Sequence, residues 1–350
     1  MMPSSWTWIP PKIWNVFSPE PNSALPIAPY AAMIQPLLPL TDATVRRLLS
    51  LDALLPAIEA VLIDFSAGRV IQPMRTVLDL PTPGSLLFVK PALVSGALSV
   101  KLITQVPDNG ARGLPTMIAT LVLLDPLTGS PLAVMDATWL TELRTAAVSA
   151  VATRALRDRQ PKRLAILGSG ALARSHALAL RSVVPISDIR VWSRNPANAE
   201  RCAADVEATA CRDAESAVQD ADIIVTVTNA SSPVLMGRWI KPGALVHAVG
   251  APRPGWRELD DAAMANYLIA DHRLAAETES GDVILSGARV QCEIGEVLAG
   301  KVAVPAGITV IFKALGQAVE DAVAARIVYD ALTRLEEERP VEPDAVKLSP

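Results

Sequence analysis

The sequence predicts an α/β protein in which a doubly wound parallel sheet follows an α+β domain. Residues 162–275 alternate short apolar runs with helical patterns, whereas four strand-like runs cluster between residues 86 and 135. A charged segment that ends at Pro161 separates the two patterns. A chain of 350 residues also suits two domains better than one.

Composition excludes several classes of function. The net charge of −4 and the pI near 5.5 argue against a nucleic-acid partner. Three cysteines and three histidines are too few and too scattered to predict a disulfide framework or a metal site. The mean hydropathy is +0.32, but prolines interrupt the longest uncharged stretch, residues 21–41, and no signal-peptide pattern is present. We therefore expect a soluble cytoplasmic protein with no membrane partner and no bound metal.

The first domain is expected to begin after an extension. Residues 1–36 are rich in Pro, Trp and Ser without a hydrophobic period, which predicts a poorly ordered segment or a partner-binding arm. Thr41 and Asp42 are placed to cap the first of two helices, which end near Gly68. Strand-like runs follow, and then an Ala-rich helical pattern over residues 138–156. The predicted strands are residues 86–90, 99–106, 117–125 and 131–135.

The last helical pattern, from about residue 313 to 338, has an apolar face that must pack against another element. We expect it to return to the first domain. The first domain is therefore assigned residues 37–157 together with 305–340, and the second domain residues 162–304.

Residues 164–173 carry the clearest functional motif. A short apolar run predicts a buried parallel strand, and a G-x-G-x-x-A pattern of Gly168, Gly170 and Ala173 follows it at the start of a helix. Gly168 permits the tight turn, Gly170 leaves room for a pyrophosphate, and Ala173 lets the helix approach the sheet. By itself the motif also fits an ordinary strand–helix turn. A second strand at residues 189–192, followed by others at 223–228, 244–249 and 267–270, favours a Rossmann dinucleotide-binding domain.

The tip of the second Rossmann strand predicts NADPH as the cofactor. Ser193, Arg194 and Asn195 stand there without a carboxylate, which would bind the ribose 2′-OH of NAD and repel the 2′-phosphate of NADP. If Arg194 is only a solvated surface residue, NADH is the alternative. Thr228 and Val249, at the ends of later strands, are expected to face the same crevice.

Basic residues stand out in the otherwise apolar first domain. A buried charge is costly without a partner, so Arg75, Lys101 and Arg144 could converge as a clamp for a carboxylate or phosphate. Lys101 could instead lie on the exposed face of an edge strand, and Arg144 could form a structural ion pair between helices. Lys90 precedes Pro91 and is expected at a strand end.

Together these stretches resemble the ornithine cyclodeaminase/mu-crystallin family from about residue 41 to 331, and the mu-crystallin side most closely. Residues 1–36 have no counterpart. The stretches that carry the resemblance are residues 66–69, 72–75, 132–136, 143–150, 168–173, 248–251, 256–261, 279–282 and 312–316.

The resemblance implies a homodimer built through the sheet of the first domain, which would then serve substrate binding and dimerisation. It also implies that Arg75, Lys101 and Arg144 bind a substrate carboxylate, and that Glu279 faces the cleft. The residues that it places around an NAD(P) cofactor are Thr116, Arg144, Thr145, Gly168, Gly170, Ala171, Leu172, Ser193, Arg194, Asn195, Thr228 and Val249.

One departure from the family pattern decides between activities. Cyclodeaminases carry an aspartate in a G-G-D-x-P-G-K pattern, and Pro252 occupies that position here. Mu-crystallin-like relatives reduce cyclic ketimines with NADPH. The expected reactions are therefore Δ1-pyrroline-2-carboxylate to L-proline and Δ1-piperideine-2-carboxylate to L-pipecolate, with Lys101 as the candidate polar group at the reacting centre. The alternatives are an acyclic imino-acid reductase resembling alanine dehydrogenase, an ornithine cyclodeaminase, and a non-catalytic NADPH-binding or ligand-binding protein.

Overall fold

A computed structural model describes residues 37–158, 160 and 162–338, so the extension over residues 1–36 lies outside the described residues. The described chain forms two sheets, one in each predicted domain. The first sheet is mixed and the second is parallel, which confirms the predicted fold class.

The first sheet has six strands in the spatial order β1-β6-β5-β4-β3-β2. All neighbours are antiparallel except β1 and β6. Its strands are β1 (Leu38–Leu40), β2 (Thr76–Asp79), β3 (Leu86–Val94), β4 (Ala97–Gln105), β5 (Met117–Leu124) and β6 (Pro131–Asp136). The four predicted strands correspond to β3–β6, whereas the short β1 and the fully exposed β2 lack a hydrophobic pattern that would have predicted them.

Four helices cover the inner face of the first sheet or flank it. They are α1 (Asp42–Leu48), α2 (Leu51–Ser66), α3 (Thr138–Leu156) and α11 (Ala318–Glu337), where α11 is the last helix of the chain. The hydroxyl of Thr41 accepts a hydrogen bond from the Thr44 amide, so it caps α1 as predicted. α11 packs against α2, β3 and β4, which brings the end of the described chain back to the first sheet.

The second sheet has eight parallel strands in the spatial order β13-β12-β14-β11-β10-β7-β8-β9. The strands are β7 (Lys162–Leu167), β8 (Ile186–Trp192), β9 (Thr209–Ala210), β10 (Ile223–Thr226), β11 (Leu245–Ala248), β12 (Tyr267–Ala270), β13 (Cys292–Glu293) and β14 (Val310–Lys313). The helices of this domain are α4 (Ala171–Arg181), α5 (Pro196–Asp205), α6 (Ala214–Val218), α7 (Asp261–Met264), α8 (Arg273–Glu279), α9 (Gly281–Ser286) and α10 (Ile294–Leu298).

β14 corrects the predicted assignment of residues 305–340 to the first domain. This strand lies between β11 and β12 in the second sheet, and all four of its residues are buried. A fully buried strand needs hydrogen-bonding neighbours on both sides, and only the centre of the parallel sheet offers them. The predicted final helix also begins later, at Ala318.

α3 joins the two halves of the molecule. It packs against α2 of the first domain and against α4 of the second. Its residues from Leu143 to Thr153 are all buried, and most are Ala, Val, Ser or Thr. Small side chains let neighbouring helices approach closely, so α3 holds both sheets around one cleft.

Candidate active site

The cleft lies where the second sheet changes direction. The chain runs from β7 outward to β8 and β9, then returns to β10 on the other side of β7. Ligands of open α/β sheets bind outside the carboxyl ends of the strands at such a switch point. β7 ends at Leu167 and β10 at Thr226, so the G-x-G-x-x-A loop is at this position.

The geometry of this loop fits a dinucleotide pyrophosphate. Gly168 has a φ of +128°, and a Cβ there would lie only 2.7 Å from the carbonyl oxygen of Val227. Gly170 is the N-cap of α4, and a Cβ on it would meet nothing within 4 Å. The amide end of α4 therefore faces open space, as phosphate binding requires, and buried Ala173 packs behind it.

The tip of β8 lies beside this loop. The Ser169 hydroxyl donates a hydrogen bond of 2.9 Å to the hydroxyl of Ser193. Arg194 is exposed, and the Asn195 side chain caps α5 by accepting from the Ala197 amide. The tip thus offers a hydroxyl and a guanidinium to solvent next to the phosphate-binding loop.

The other predicted cofactor residues divide into two groups. Ala171 and Leu172 form the first turn of α4, and Val249 is buried directly after β11. Thr145 is buried on α3, where its hydroxyl donates to the carbonyl of Thr141, whereas Thr116 is exposed just before β5. The residues of the first group lie at the carboxyl ends of the Rossmann strands, and the latter two belong to the first domain.

Glu258 organises the carboxyl ends of β10 and β11, although no prediction singled it out. It is fully buried and accepts hydrogen bonds from the hydroxyls of Thr226 and Thr228 and from the amides of Thr228 and Gly250. Burial raises the pKa of its carboxyl group. This carboxylate holds predicted residue Thr228 in place at the strand end.

A second buried network supports the same region. Lys313 donates to the carbonyl of Gly250 at 2.6 Å and to Asp282 at 2.9 Å. Asp271 accepts from the amides of Leu315 and Gly316 and so fixes the approach to α11. Lys313 and Asp282 belong to stretches that carry the family resemblance, which was the only signal for them in the sequence.

Lys101 and Arg144 are buried together and share a carboxylate. The ammonium of Lys101 donates to Asp321 at 2.6 Å and to the Thr141 hydroxyl at 3.2 Å. Arg144 donates to Glu320 at 2.6 Å, and its Nε lies 2.8 Å from Asp321. Because β4 lies between β3 and β5, the edge-strand alternative for Lys101 is wrong.

The charged groups in this cluster shift one another's pKa values. Burial lowers the pKa of Lys101 well below its usual range, and the neighbouring Arg144 guanidinium lowers it further. Burial raises the pKa of Glu320 to about 7. For Arg144 burial acts to lower the pKa, but the carboxylates of Asp321 and Glu320 outweigh it and raise the pKa. Gly316 has a φ of +71°, which favours glycine, and a Cβ there would collide with the Arg144 guanidinium that Glu320 and Asp321 hold in place.

Arg75 reaches a cavity between the two domains. Its guanidinium donates to the Pro252 carbonyl at 2.6 Å and lies 3.0 Å from the carboxylate of Glu279, which faces the cleft as expected. Lys101 and Arg144 do not line this cavity. The lining residues are Gln72, Pro73, Met74, Arg75, Lys90, Ala275, Glu279, Gly316, Gln317 and Ala318. Of the three cations expected to form a clamp, Arg75 thus lines the cavity, whereas Lys101 and Arg144 are held by carboxylates of α11.

Lys90 lies in a different place from the expected strand end. It is the fifth residue of the nine-residue β3 and stands opposite Lys101 on β4. Its ammonium donates to the carbonyl of Gly316, and burial lowers its pKa. The sequence suggested a strand end because Pro91 cannot donate a ladder hydrogen bond, but β3 continues through it to Val94.

The two buried histidines take part in packing between elements. His247 on β11 bonds the Thr153 hydroxyl of α3, and His176 on α4 bonds the Ser149 hydroxyl of the same helix. In the described part of the chain, no group of three or more His, Cys, Asp or Glu side chains is arranged to hold a metal ion. No described helix is long and apolar enough to cross a membrane.

Comparisons with known proteins agree with this architecture. The chain is 44% identical to the ketimine reductase mu-crystallin of Mus musculus over 290 residues, which cover 81% of this chain and 93% of the relative. It is also similar to a solved structure of the Δ1-pyrroline-2-carboxylate reductase of Thermococcus litoralis in complex with NADH and L-proline. That match has a TM-score of 0.80 and 30% identity, and it covers 86% of this chain and 98% of the other.

A third match is an archaeal alanine dehydrogenase dimer with bound NAD, with a TM-score of 0.81 and 29% identity over 86% of this chain and 97% of the other. The family model of the ornithine cyclodeaminase/mu-crystallin proteins matches residues 38–336. The match takes in both sheets and every cluster described above. The chain therefore belongs to the ornithine cyclodeaminase/mu-crystallin family.

Proposed function

We propose that this protein is an NAD(P)H-dependent oxidoreductase that reduces cyclic ketimine carboxylates. The expected reactions are Δ1-pyrroline-2-carboxylate to L-proline and Δ1-piperideine-2-carboxylate to L-pipecolate. The observation that carries the proposal is the cation-lined cavity, with Arg75 on its wall, between the first domain and a dinucleotide-binding sheet. Relatives that are a ketimine reductase and a Δ1-pyrroline-2-carboxylate reductase support it.

In this proposal Arg75 anchors the substrate carboxylate from the cavity wall, whereas Lys101 and Arg144, the other two residues expected to bind it, are paired with carboxylates of α11. The guanidinium of Arg75 is oriented by the carboxylate of Glu279 and the carbonyl of Pro252, and it can bind a substrate carboxylate from this position. Asp321 and Glu320 keep Arg144 in one orientation. Fixing the substrate in this way makes the reaction effectively unimolecular.

Lys101 is the proposed catalytic residue. When bound, the nicotinamide supplies the hydride for the imine carbon. The imine nitrogen needs one proton in all, and Lys101 has an ammonium whose pKa is lowered by burial. A lysine of lowered pKa gives up a proton more readily near neutral pH, so Lys101, which does not line the cavity and donates to Asp321, would supply this proton to a substrate that reaches past the cavity wall.

NADPH is the proposed cofactor, with NADH as the alternative. The loop from Gly168 to Leu172 would cradle the pyrophosphate, because Gly170 leaves open space before α4. Ser193, Arg194 and Asn195 would surround the adenosine ribose, where a guanidinium favours a 2′-phosphate. Thr228 and Val249 would border the nicotinamide side, together with Thr116 and Thr145 from the first domain.

The loop at Pro252 favours reduction over cyclodeamination. Its side chain carries no acid, and its carbonyl oxygen accepts a hydrogen bond from Arg75. A base near the amino nitrogen, which cyclodeamination requires, is therefore not supplied by this position.

A homodimer in the cytoplasm completes the proposal. The face of the first sheet opposite Lys101 is apolar and accessible, with Leu78, Leu102 and Ile118 exposed. Contiguous apolar surface of this kind is typical of an interface, and the archaeal alanine dehydrogenase is a dimer. All three cysteines are free, as in proteins of reducing compartments.

The test is a substrate panel with purified protein. We expect NADPH oxidation with Δ1-pyrroline-2-carboxylate and Δ1-piperideine-2-carboxylate, measured by loss of absorbance at the nicotinamide band. Pyruvate or oxaloacetate with ammonia, and L-ornithine with NAD, are the comparison reactions for the acyclic reductase and the cyclodeaminase. Tight NADPH binding without turnover of either cyclic imine would contradict the proposal.

A further inference from the structure

Lys90 is a buried lysine at a position where the stability of the fold does not require a lysine. It stands directly opposite Lys101 in the antiparallel ladder, so two ammonium-bearing side chains point to the same face of the sheet. Like charges at directly opposed positions destabilise a sheet, and burying an ammonium adds a desolvation cost. An apolar residue would suit this position on β3 better for stability alone.

Lys90 also differs from the other cations of the site in its partners. Arg75 is paired with Glu279, Lys101 with Asp321, and Arg144 with Glu320 and Asp321 of α11. Within the described part of the chain, by contrast, no carboxylate lies within ion-pair distance of the Lys90 ammonium. Its hydrogen-bond partner there is the neutral carbonyl of Gly316.

Lys90 borders a small cavity of about 10 Å³, which has room for one oxygen-sized group. Lys90, Arg75 and Gly316 all line the same cavity, whereas Lys101 and Arg144 do not. An ammonium has three donors, and one carbonyl uses one of them. A ligand in this cavity could therefore present an anionic oxygen to Lys90 while another of its groups is bound elsewhere in the site.

We propose that Lys90 determines substrate specificity by binding a second carboxylate, so that the enzyme prefers cyclic ketimines with one carboxylate on the imine carbon and another on the ring carbon at the other side of the nitrogen. This inference rests on the proposed function, because it assumes that Arg75 takes the first carboxylate. Because Arg75 and Lys90 line the same cavity, a ring that bears two carboxylates would have a cationic partner for each, whereas a monocarboxylate ring would leave one cation without a ligand. Charge-assisted hydrogen bonds to a buried ammonium are strong enough to set such a preference.

The kinetic test compares Δ1-piperideine-2-carboxylate with Δ1-piperideine-2,6-dicarboxylate, using NADPH and the full chain. We expect the unaltered protein to have the higher kcat/KM for the dicarboxylate. In Lys90→Met, kcat/KM for the dicarboxylate should fall about 10- to 100-fold, mainly through KM, while the monocarboxylate changes less than about threefold. Lys90→Arg should restore part of the preference. Lys301→Met, at an exposed position, is the matched control and should change neither value.

A binding measurement separates this inference from the proposed function. Pyridine-2-carboxylate and pyridine-2,6-dicarboxylate have the same ring pattern but cannot be turned over as imines. Calorimetry in the presence of EDTA should show tighter binding of the dicarboxylate to the unaltered protein and loss of that difference in Lys90→Met. The difference in affinity between the two pyridine ligands can be measured even if neither imine is reduced. In that case only the proposed function fails.

Three results would overturn the inference. The first is an equal fall of kcat/KM for both substrates in Lys90→Met, which would mean that Lys90 binds the first carboxylate. The second is an unchanged kcat/KM for both substrates in Lys90→Met. The third is a kcat/KM for the dicarboxylate that is no higher than that for the monocarboxylate in the unaltered protein. Thermal unfolding and NADPH binding confirm that the variant is folded, and Lys90→Gln serves in its place if it is not.

Discussion

At the scale of single residues, the site depends on which cations have internal counter-ions. Lys101 and Arg144 are neutralised by Asp321 and Glu320, which belong to a helix at the other end of the chain. Arg75 is paired as well, but with Glu279 at the cavity wall, where both side chains are about 15% exposed. An incoming carboxylate can therefore reach the Arg75 guanidinium without breaking a fully buried pair.

Arg75→Ala tests the role of this residue. Losing a charge-assisted hydrogen bond costs about 1.5–3 kcal/mol, so KM for a cyclic imine should rise about 10- to 100-fold. The affinity for NADPH, measured by its fluorescence on binding, should stay the same. Arg69→Ala removes an arginine that is half exposed and paired with Asp64, and it serves as the control. An unchanged KM in Arg75→Ala would remove Arg75 from the substrate site.

Arg194 allows a separate test of cofactor choice. It is exposed at the tip of β8, so its replacement should not disturb the core. Arg194→Asp places a carboxylate where it would repel a 2′-phosphate and accept a bond from a ribose hydroxyl. The ratio of kcat/KM with NADPH to that with NADH should fall at least about tenfold. Arg212→Asp, which alters an almost fully exposed arginine of the same domain, should leave the ratio as it was.

At the scale of elements, α3 contacts both domains and holds them in position relative to each other. Its Ser149 and Thr153 hydroxyls bond to His176 on α4 and His247 on β11. His176 in turn donates to the carbonyl of Leu172, in the first turn after the phosphate-binding loop. His176 thus connects α3, which carries Arg144, to the helix after the glycine-rich loop, and His247 connects α3 to β11.

This contact predicts a dependence of stability on pH. Burial lowers the pKa of His176 from 6.5 to about 4. The unfolded chain therefore binds more protons than the folded chain between those values, and stability should fall as the pH drops through this window. His176 should account for about 2 kcal/mol of lost unfolding free energy between pH 7.5 and 5.

The measurement is urea unfolding at the two pH values. His176→Gln should lose this part of the pH dependence, whereas His272→Gln should keep it, since His272 stacks on Phe65 in another part of the structure. An identical pH slope in His176→Gln and the unaltered protein would show that the imidazole is not held neutral by the fold.

At the scale of the whole molecule, the first sheet has two unlike faces. The inner face carries Lys90, Lys101 and Leu121 and is covered by α11. The outer face is apolar and has no described element packed over its exposed residues. Its apolar residues are Leu78, Leu87, Val89, Val100, Leu102, Ile118 and Val122, and Thr76, Thr104 and Thr120 lie among them on the same face. A second copy of the chain would bury this face by an isologous contact.

Leu102→Glu tests the dimer. A carboxylate at the middle of a buried apolar interface lacks a partner, so it should convert the dimer to monomer. Sedimentation velocity or light scattering coupled to size exclusion measures the change in mass. Leu127→Glu, in the exposed turn between β5 and β6, should remain dimeric. A monomeric unaltered protein at micromolar concentration would contradict the proposed assembly.

The fold class and the phosphate-binding loop were predictable from the sequence because both rest on local signals. Helix α3 was predicted with the bounds that the structure has, since one Ala-rich pattern runs without interruption from Thr138 to Leu156. Gly168 and Gly170 were recognisable because the turn and the open helix end each require glycine within a few residues of a strand. The apolar runs of β7, β10 and β11 marked the parallel sheet for the same reason.

The charges around the cavity were decided by tertiary structure alone. Lys101 and its partner Asp321 are 220 residues apart, and Arg144 and Glu320 are 176 residues apart. No local period relates residues at such distances, so the sequence could identify the cations but not their counter-ions. The inward direction of Lys90 depends on a register that carries β3 past Pro91. The sequence thus determined the glycine-rich loop at which we propose that a dinucleotide binds, and the packing of α11 on the first sheet determined which cations have internal partners.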